Sequence, residues 1–415
     1  MSFQTLEASV EPFFRIGDLI KERWRSVCFD EEAFADIATE VLGRELPVLG
    51  VTLDDLLDWV HASRRLPTQI EFQFGQPITV FHDPRFYIDV LTWVDSTTNI
   101  HEHGFSGAFG VLHGSSLHAR HAFEVERRYC EHLFQGRTSL TELEVLRAGD
   151  VRPIYAGARS AHALFHLDRP SLSVVVRNPK TTIAPIQLCY LRSGLAYNPF
   201  HTDVESQRLV RTLEIMLDIE HPGLLARARA MIDERDPFTA FKIAAFLARK
   251  LPHHEFIAFL GGAPFRHAEL FRAITANAAD MRRETNLINR RRAIKNDDHR
   301  YLVALLLNLR DPRDILALVQ ARVPGTEPVD TVMRWVAELA AAPAIEPGEP
   351  NAIGIALDEL ALGAMRSMLG GASDDQVIAA LADEYDGVDE LRGELHELCA
   401  AFRASVFFAP LFHQA

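Results

Sequence analysis

The sequence predicts an α+β protein: a small β-barrel or sandwich flanked by an N-terminal helical arm and a C-terminal all-α domain. Two observations predict it. The hydrophobic period changes from helical to strand-like near residue 67 and returns to helical near residue 204. Between those points turn signals recur about every ten residues, the spacing of short strands in a sandwich or barrel.

Residues 1–66 form the expected arm. EEAFADIATEVL (31–42) and LDDLLDWVHAS (53–63) carry apolar residues at three- and four-residue spacing with acids in the first turn, as amphipathic helices do. Residues 67–180 form the expected barrel. QIEFQF (69–74) alternates, FYIDVLTW (86–93) is β-branched and aromatic, and SLSVVV (171–176) is a short buried run. Turns fall at Gly75-Gln76-Pro77, Asp83-Pro84, Gly114-Ser115, Gly149-Asp150 and Arg169-Pro170. Residues 181–203, with Pro185 and Pro199, read as a connector. Residues 204–415 read as helices broken at His221-Pro222-Gly223, Asp236-Pro237 and Asp311-Pro312, with Ala341–Asn351 (AAPAIEPGEPN) as the expected flexible loop. No repeat period stands out.

Composition narrows the function classes. The 415 residues are 48% hydrophobic and 24% charged, with 43 basic against 57 acidic side chains for a net charge of −14. That balance lacks the basic footprint of a non-specific nucleic-acid coat or an anionic-membrane binder. The longest apolar run is Tyr301–Leu307, far below the roughly 20 residues of a membrane span. MSFQTLEASVEPFF has no signal-peptide pattern. Cys28, Cys130, Cys189 and Cys399 are scattered without a CxxC pair, so free thiols in the cytoplasm are expected.

The chemistry concentrates in NIHEHGFSGAFGVLHGSSL (99–117). His101 and His103, two apart on a strand, project their imidazoles from one face. Downstream, Gly149-Asp150, Pro153, Gly157, His162 and His166 punctuate a second strand–turn–strand text.

These two texts resemble the paired motifs of the cupin superfamily, so a cupin-type β-barrel is expected. The resemblance implies that the two hairpins fold together and bring His162 opposite His101 and His103. Cupins commonly add a glutamate four or five residues after the HxH pair, and here those places are Gly107 and Ala108. A three-histidine set without carboxylate resembles the cysteine dioxygenase (thiol dioxygenase) family over roughly residues 85–180. Phe86, Leu91 and Trp93 before Ile100-His101-x-His103-x-x-Ser106, then Phe109, Leu112, Gly114 and Leu117, carry that likeness. The chain departs from it where the family joins a cysteine to a tyrosine: the corresponding positions are Ala108 and Arg177, with Val175 and Ser173 before the latter. No clear match exists for the family's carboxylate-binding arginine, although Arg85 lies nearby. A substrate other than cysteine is therefore expected.

Residues 171, 173, 175 and 177 share a strand face, so Arg177 is expected to point into the barrel and recognise an anion. Tyr155 is a candidate proton donor and Ser106 a candidate donor to substrate or oxygen. His166 is expected as a hydrogen-bonding support behind the ligands, not a fourth ligand. His113 and His118, flanking Gly114, are expected as exposed strand-end residues. Cys130 and His132 sit in polar, helix-like text, and Arg290-Arg291-Arg292 with Arg282, Arg283 and Arg300 reads as a solvated helix face.

The expected function is a mononuclear non-haem Fe(II) oxygenase inserting dioxygen into a small molecule, anionic or a thiol, with thiol-to-sulfinate oxidation as the leading version. Mn, Ni or Zn in an isomerase or decarboxylase is one alternative, and a non-catalytic binding or interaction protein is another. No nucleic acid or membrane partner is expected. The helical domain is expected as a lid, a homodimer contact or a surface for a protein partner.

Overall fold

A computed structural model describes residues 3–63, 66–69, 77–94, 98–179, 181–184, 186–262, 264–345, 348–385 and 391–412. Of the expected strand QIEFQF, residues 70–74 lie outside the described residues, as does most of the turn at 75–77. The chain divides into two compact units, Met1–Asp280 and Met281–Ala415. The helices expected as one domain from residue 204 are thus shared between them.

The first unit opens with helices α1 (Phe3–Ser26), α2 (Glu31–Glu45) and α3 (Leu53–Ala62). Asp30 caps α2 and Thr52 with Asp55 forms a reciprocal capping box on α3, which fixes both starts where the first-turn acids had placed them. Then follow β1 (Pro77–Asp83), β2 (Phe86–Trp93), β3 (Ile100–His103), β4 (Gly107–His113), β5 (Ser115–Cys130), β6 (Leu133–Arg147), β7 (Val151–Ile154), β8 (Gly157–His166) and β9 (Ser171–Arg177). The expected connector contains two further strands, β10 (Cys189–Leu191) and β11 (Leu195–Tyr197). Helices α4 (Val204–Asp218), α5 (Leu224–Glu234), α6 (Pro237–Lys250) and α7 (His253–Leu260) and the first half of α8 (Ala268–Ala293) complete it.

The strands form two sheets. One runs β1-β2-β9-β4-β7, and the other closes as β10-β11-β6-β5-β8-β3. This is the cupin-type barrel, in an α+β chain with helices on both sides in sequence. Period-2 alternation gives the first sheet two distinct faces. Phe86, Ile88, Val90, Ala108, Val174 and Val176 pack against Phe13, Trp24, Phe34 and Val41 of the N-terminal helices. Leu91, Trp93, Phe109, Val111 and Val175 face inward. The helices after residue 204 bury Leu213, Ile232, Phe241 and Phe246 with Leu133 of β6 and Leu195 of β11.

The β5–β6 hairpin is longer than the turn signals implied, and it corrects two readings. Cys130 ends a strand, with His132 in the turn that follows, so this text is not helical. His118 lies inside the strand and is buried, not at an exposed end.

The second unit holds α9 (Asp297–Asn308), α10 (Pro312–Arg322), α11 (Pro328–Ala340), α12 (Glu359–Leu369), α13 (Asp374–Glu384), α14 (Arg392–Ala404) and α15 (Ala409–Phe412). The Asp236-Pro237 and Asp311-Pro312 breaks are N-caps: each aspartate accepts from the first turn of the helix whose first residue is the proline, the two preferences that start helices. The arginine run is a solvated face only in part: Arg282 and Arg292 are exposed, but the rest is not. Arg290, Arg291 and Arg300 are buried; Arg290 donates to the Ala352 carbonyl and pairs with Glu349, and Arg300 donates to the Arg291 carbonyl. Residues 346 and 347 of the expected flexible loop lie outside the described residues; at its end Asn351 donates to the Ile355 carbonyl at 2.7 Å. No helix among the described residues is long and apolar enough to cross a membrane.

Candidate metal centre

Register brings the three histidines together. β3 pairs with β8 so that His101 lies directly opposite His162, and a register shift between His101 and His103 follows. One potential donor atom from each of His101, His103 and His162 falls within 4.8 Å of the others. His103 Nε2 and His162 Nε2 are 2.9 Å apart. His101 turns its Nδ1 to the Asn99 carbonyl at 2.8 Å, leaving Nε2 for another partner.

Burial shifts all three toward the neutral form that ligates metal. The His101 pKa is lowered by burial, against the Asn99 carbonyl. His103 and His162 fall well below the ordinary imidazole range, first through burial and then through neighbouring imidazoles; Arg177 adds to the effect on His103. The set fits a divalent transition ion. Two cis donors at about 2.1 Å from a shared ion lie about 3.0 Å apart, near the observed separation of His103 and His162. His103 Nδ1 is buried and meets no hydrogen-bond partner among the described residues.

Among the described residues no carboxylate joins them, and packing explains why at the two positions where a cupin glutamate would stand. A Cβ at Gly107 would lie 1.9 Å from the Val176 carbonyl oxygen, so no side chain fits there. Ala108 faces the N-terminal helices.

The histidines line a cavity of about 240 Å³. Its walls are mainly Leu91, Trp93, Phe105, Phe109, Ile154, Leu164 and Val175, with Thr98, Asn99, Ser173, Arg177, Gln187 and Cys189 as polar members and Tyr197, Pro199 and Phe200 completing the lining. Three of these, Gln187, Cys189 and Tyr197, follow from residues 187–197 joining the barrel or its edge, which reading 181–203 as a connector concealed. The Cys189 thiol is pushed up to about 12 by burial and by Glu102, so it is a protonated wall group.

Arg177 does line the cavity, as the strand-face argument expected. It also donates to Asp89 at 2.8 Å, and both side chains are buried. Asp89 accepts from Thr79 at 2.8 Å as well. Burial raises the Asp89 pKa despite the pull of Arg177 and Thr79. The cavity wall therefore presents an arginine already matched with a carboxylate.

The other expected site residues fall elsewhere. Tyr155 is outside the cavity lining: its hydroxyl donates to Asp36 of α2 at 2.6 Å and Arg159 lies over its ring at 3.7 Å. Ser106 is buried outside the lining, its backbone exchanging hydrogen bonds with Asn178 at 2.8 and 3.1 Å. Each precedes or follows a motif strand and is taken up by the loop that ends it. His166 stacks on Trp93, ring centroids 4.3 Å apart, and its Nδ1 meets Ser116 Oγ at 2.9 Å. It supports the cavity wall, not a ligand.

The residue that does support one of the three candidate ligands, His162, is His118. Its Nε2 lies 2.9 Å from His162 Nδ1 and its Nδ1 lies 2.9 Å from Glu144 Oε1. Arg152 grips Glu144, with Nε on Oε1 at 2.9 Å and Nη2 on Oε2. Burial lowers the His118 pKa against the opposing pull of Glu144. The sequence signal was alternation: His118 and His162 lie on adjacent strands, two residues out of register.

No family model and no curated protein matches the chain. Among solved structures, hydroquinone 1,2-dioxygenase from Sphingomonas sp. TTNP3 with 4-hydroxybenzoate is 11% identical, over 30% of this chain and 72% of that one, at a TM-score of 0.20. A hydroquinone 1,2-dioxygenase PnpCD complex with Cd2+ and 4-hydroxybenzonitrile gives the same figures: 11%, 30%, 72% and 0.20. An uncharacterized conserved protein with a double-stranded β-helix domain from Klebsiella pneumoniae subsp. pneumoniae MGH 78578 is 17% identical, over 33% and 92%, at 0.19. None of these three bears the name of a cysteine dioxygenase, and likeness at this level carries nothing about chemistry.

Proposed function

We propose that this chain is a cupin-type metal-dependent enzyme, a mononuclear non-haem Fe(II) oxygenase acting on a small molecule. The observation that carries the reading is three mutually close, neutral histidines on the wall of an otherwise largely apolar cavity. His101, His103 and His162 would hold the ion. When bound, Fe(II) would supply a Lewis-acidic, redox-active centre with open positions for substrate and dioxygen.

The chain's own residues perform the remaining tasks. Trp93, Phe105 and Phe109 exclude water and fix the substrate body beside the histidines. An apolar cavity of about 150 Å³ holds benzene, so this one accepts a body of about one ring with a short substituent. We assign Arg177 to the substrate's polar end, with Asp89 holding the guanidinium in place. Three neutral ligands leave the charge of a divalent ion uncompensated, which favours an anionic donor atom. A thiol oxidised by one dioxygen to the sulfinic acid, RSH + O2 → RSO2H, is therefore the leading version. Free thiols at all four cysteines agree with a cytoplasmic setting.

Oxygen uptake by the iron-loaded protein, screened against thiols and phenols with apolar bodies, tests this. Substrate-dependent uptake matched by product formation is expected. Turnover that proceeds equally under argon would contradict the oxygenase and move the chain to the Mn, Ni or Zn enzymes. Arg177→Ala should raise KM with metal content unchanged.

A further inference from the structure

We infer that a surface ion pair, Glu144–Arg152, sets through His118 which ring nitrogen of His162 faces the metal. The inference rests on the metal reading above and concerns only residues of this chain. Arg152 binds Glu144 through two nitrogens, which holds it as a carboxylate, and an ionised carboxylate only accepts hydrogen bonds. His118 must then present Nδ1–H to Glu144 across 2.9 Å. A neutral imidazole has one donor and one acceptor, so His118 Nε2 is an acceptor. His162 must therefore donate from Nδ1 across 2.9 Å, which leaves the His162 Nε2 lone pair turned toward His103 and His101.

The same logic accounts for His103. With His162 Nε2 as acceptor, the 2.9 Å contact between the two Nε2 atoms needs His103 to donate. His103 Nδ1 is then a bare lone pair, the milder kind of buried unpartnered atom, and that is the atom found without a partner. His118 is a positioning residue in this chain. The ion pair reaches solvent while His118 and His162 are buried, so a partly exposed charge pair acts on a buried ligand through one intermediary.

Reversing the polarity tests the inference. The double variant Glu144→Arg/Arg152→Glu keeps an ion pair but puts a donor against His118 Nδ1, so His118 would donate from Nε2 and His162 would carry its proton on the metal-facing nitrogen. Zn2+ affinity, read by chelator competition on the full chain, should fall by about tenfold or more. Glu144→Gln, whose amide oxygen can still accept, should lose less. Affinities within about twofold of wild type for the double variant would overturn the inference. A wild-type chain that binds no metal would instead remove the reading beneath it. Should the double variant fail to fold, 15N NMR of the histidine rings in the metal-free wild-type chain decides: protonated Nδ1 on both His118 and His162 is required, and protonated Nε2 on either overturns it.

Discussion

His162 and His166 lie on the same strand, four residues apart, on the same inward face, and both are buried. The first opens on the cavity with His101 and His103 beside it and His118 behind it. The second is closed in by Trp93, Ser116 and Ser171. One end of the barrel interior thus gathers nitrogen donors, while the other satisfies the same residue type with hydroxyls and a stacked indole. The difference is made by the neighbouring strands, not by the histidines: β3 supplies imidazoles opposite His162, and β5 supplies Ser116 opposite His166.

Removing each histidine should break the comparison most clearly. His162→Ala is expected to reduce bound metal to background, whereas His166→Ala should keep the metal and lose about 1–3 kcal/mol of stability with its stack and hydrogen bond. Metal loss in both variants, read by mass spectrometry, would erase the distinction between the two ends.

Asp89→Ala addresses the charged part of the cavity wall, where Asp89 pairs with Arg177. Leaving the Arg177 guanidinium buried without its carboxylate should cost about 3–5 kcal/mol, visible as a lower urea midpoint. A change below about 1 kcal/mol would show that the pair does not hold Arg177.

A histidine of a third kind sharpens the picture. His121 on β5 is buried, belongs to no donor cluster, and has neither ring nitrogen hydrogen-bonded among the described residues. Burial, then Arg192 and His118, lowers its pKa to about 4. The unfolded chain binds this proton more readily, near pH 6.5, so the stability contributed by neutral His121 is complete above that pH and lost as pH falls toward 4. The full effect is at most about 3 kcal/mol. The stability gap between His121→Phe and wild type should therefore shift in favour of the variant as pH drops from 7 to 4.5. A gap independent of pH would contradict the assignment.

The smallest effect is expected at Tyr155. Its hydrogen bond to Asp36 is part-exposed, so Tyr155→Phe should cost about 1 kcal/mol or less and leave metal content and turnover unchanged. A large loss of turnover would restore it as a proton donor.

Much of this was legible because period and spacing are local. The HxH pair, the Gly149–His162 text and the inward direction of Arg177 follow from strand alternation, and the capped helices follow from Asp-Pro pairs. What was hidden depends on partners distant in sequence. His118 looks like a strand end beside the Gly114 turn until β5 is known to run 16 residues. Asp89, the partner of Arg177, lies 88 residues earlier. β10 and β11 are three residues each, too short to show alternation among prolines. Gly107 shows why the glutamate is missing only once β9 lies against it.

The most direct test of the central claim is metal content of the chain purified without oxygen, beside His162→Ala. The account predicts about one iron per chain in the wild type and background in the variant. No metal in the wild type after reconstitution, or equal metal in both, would contradict it.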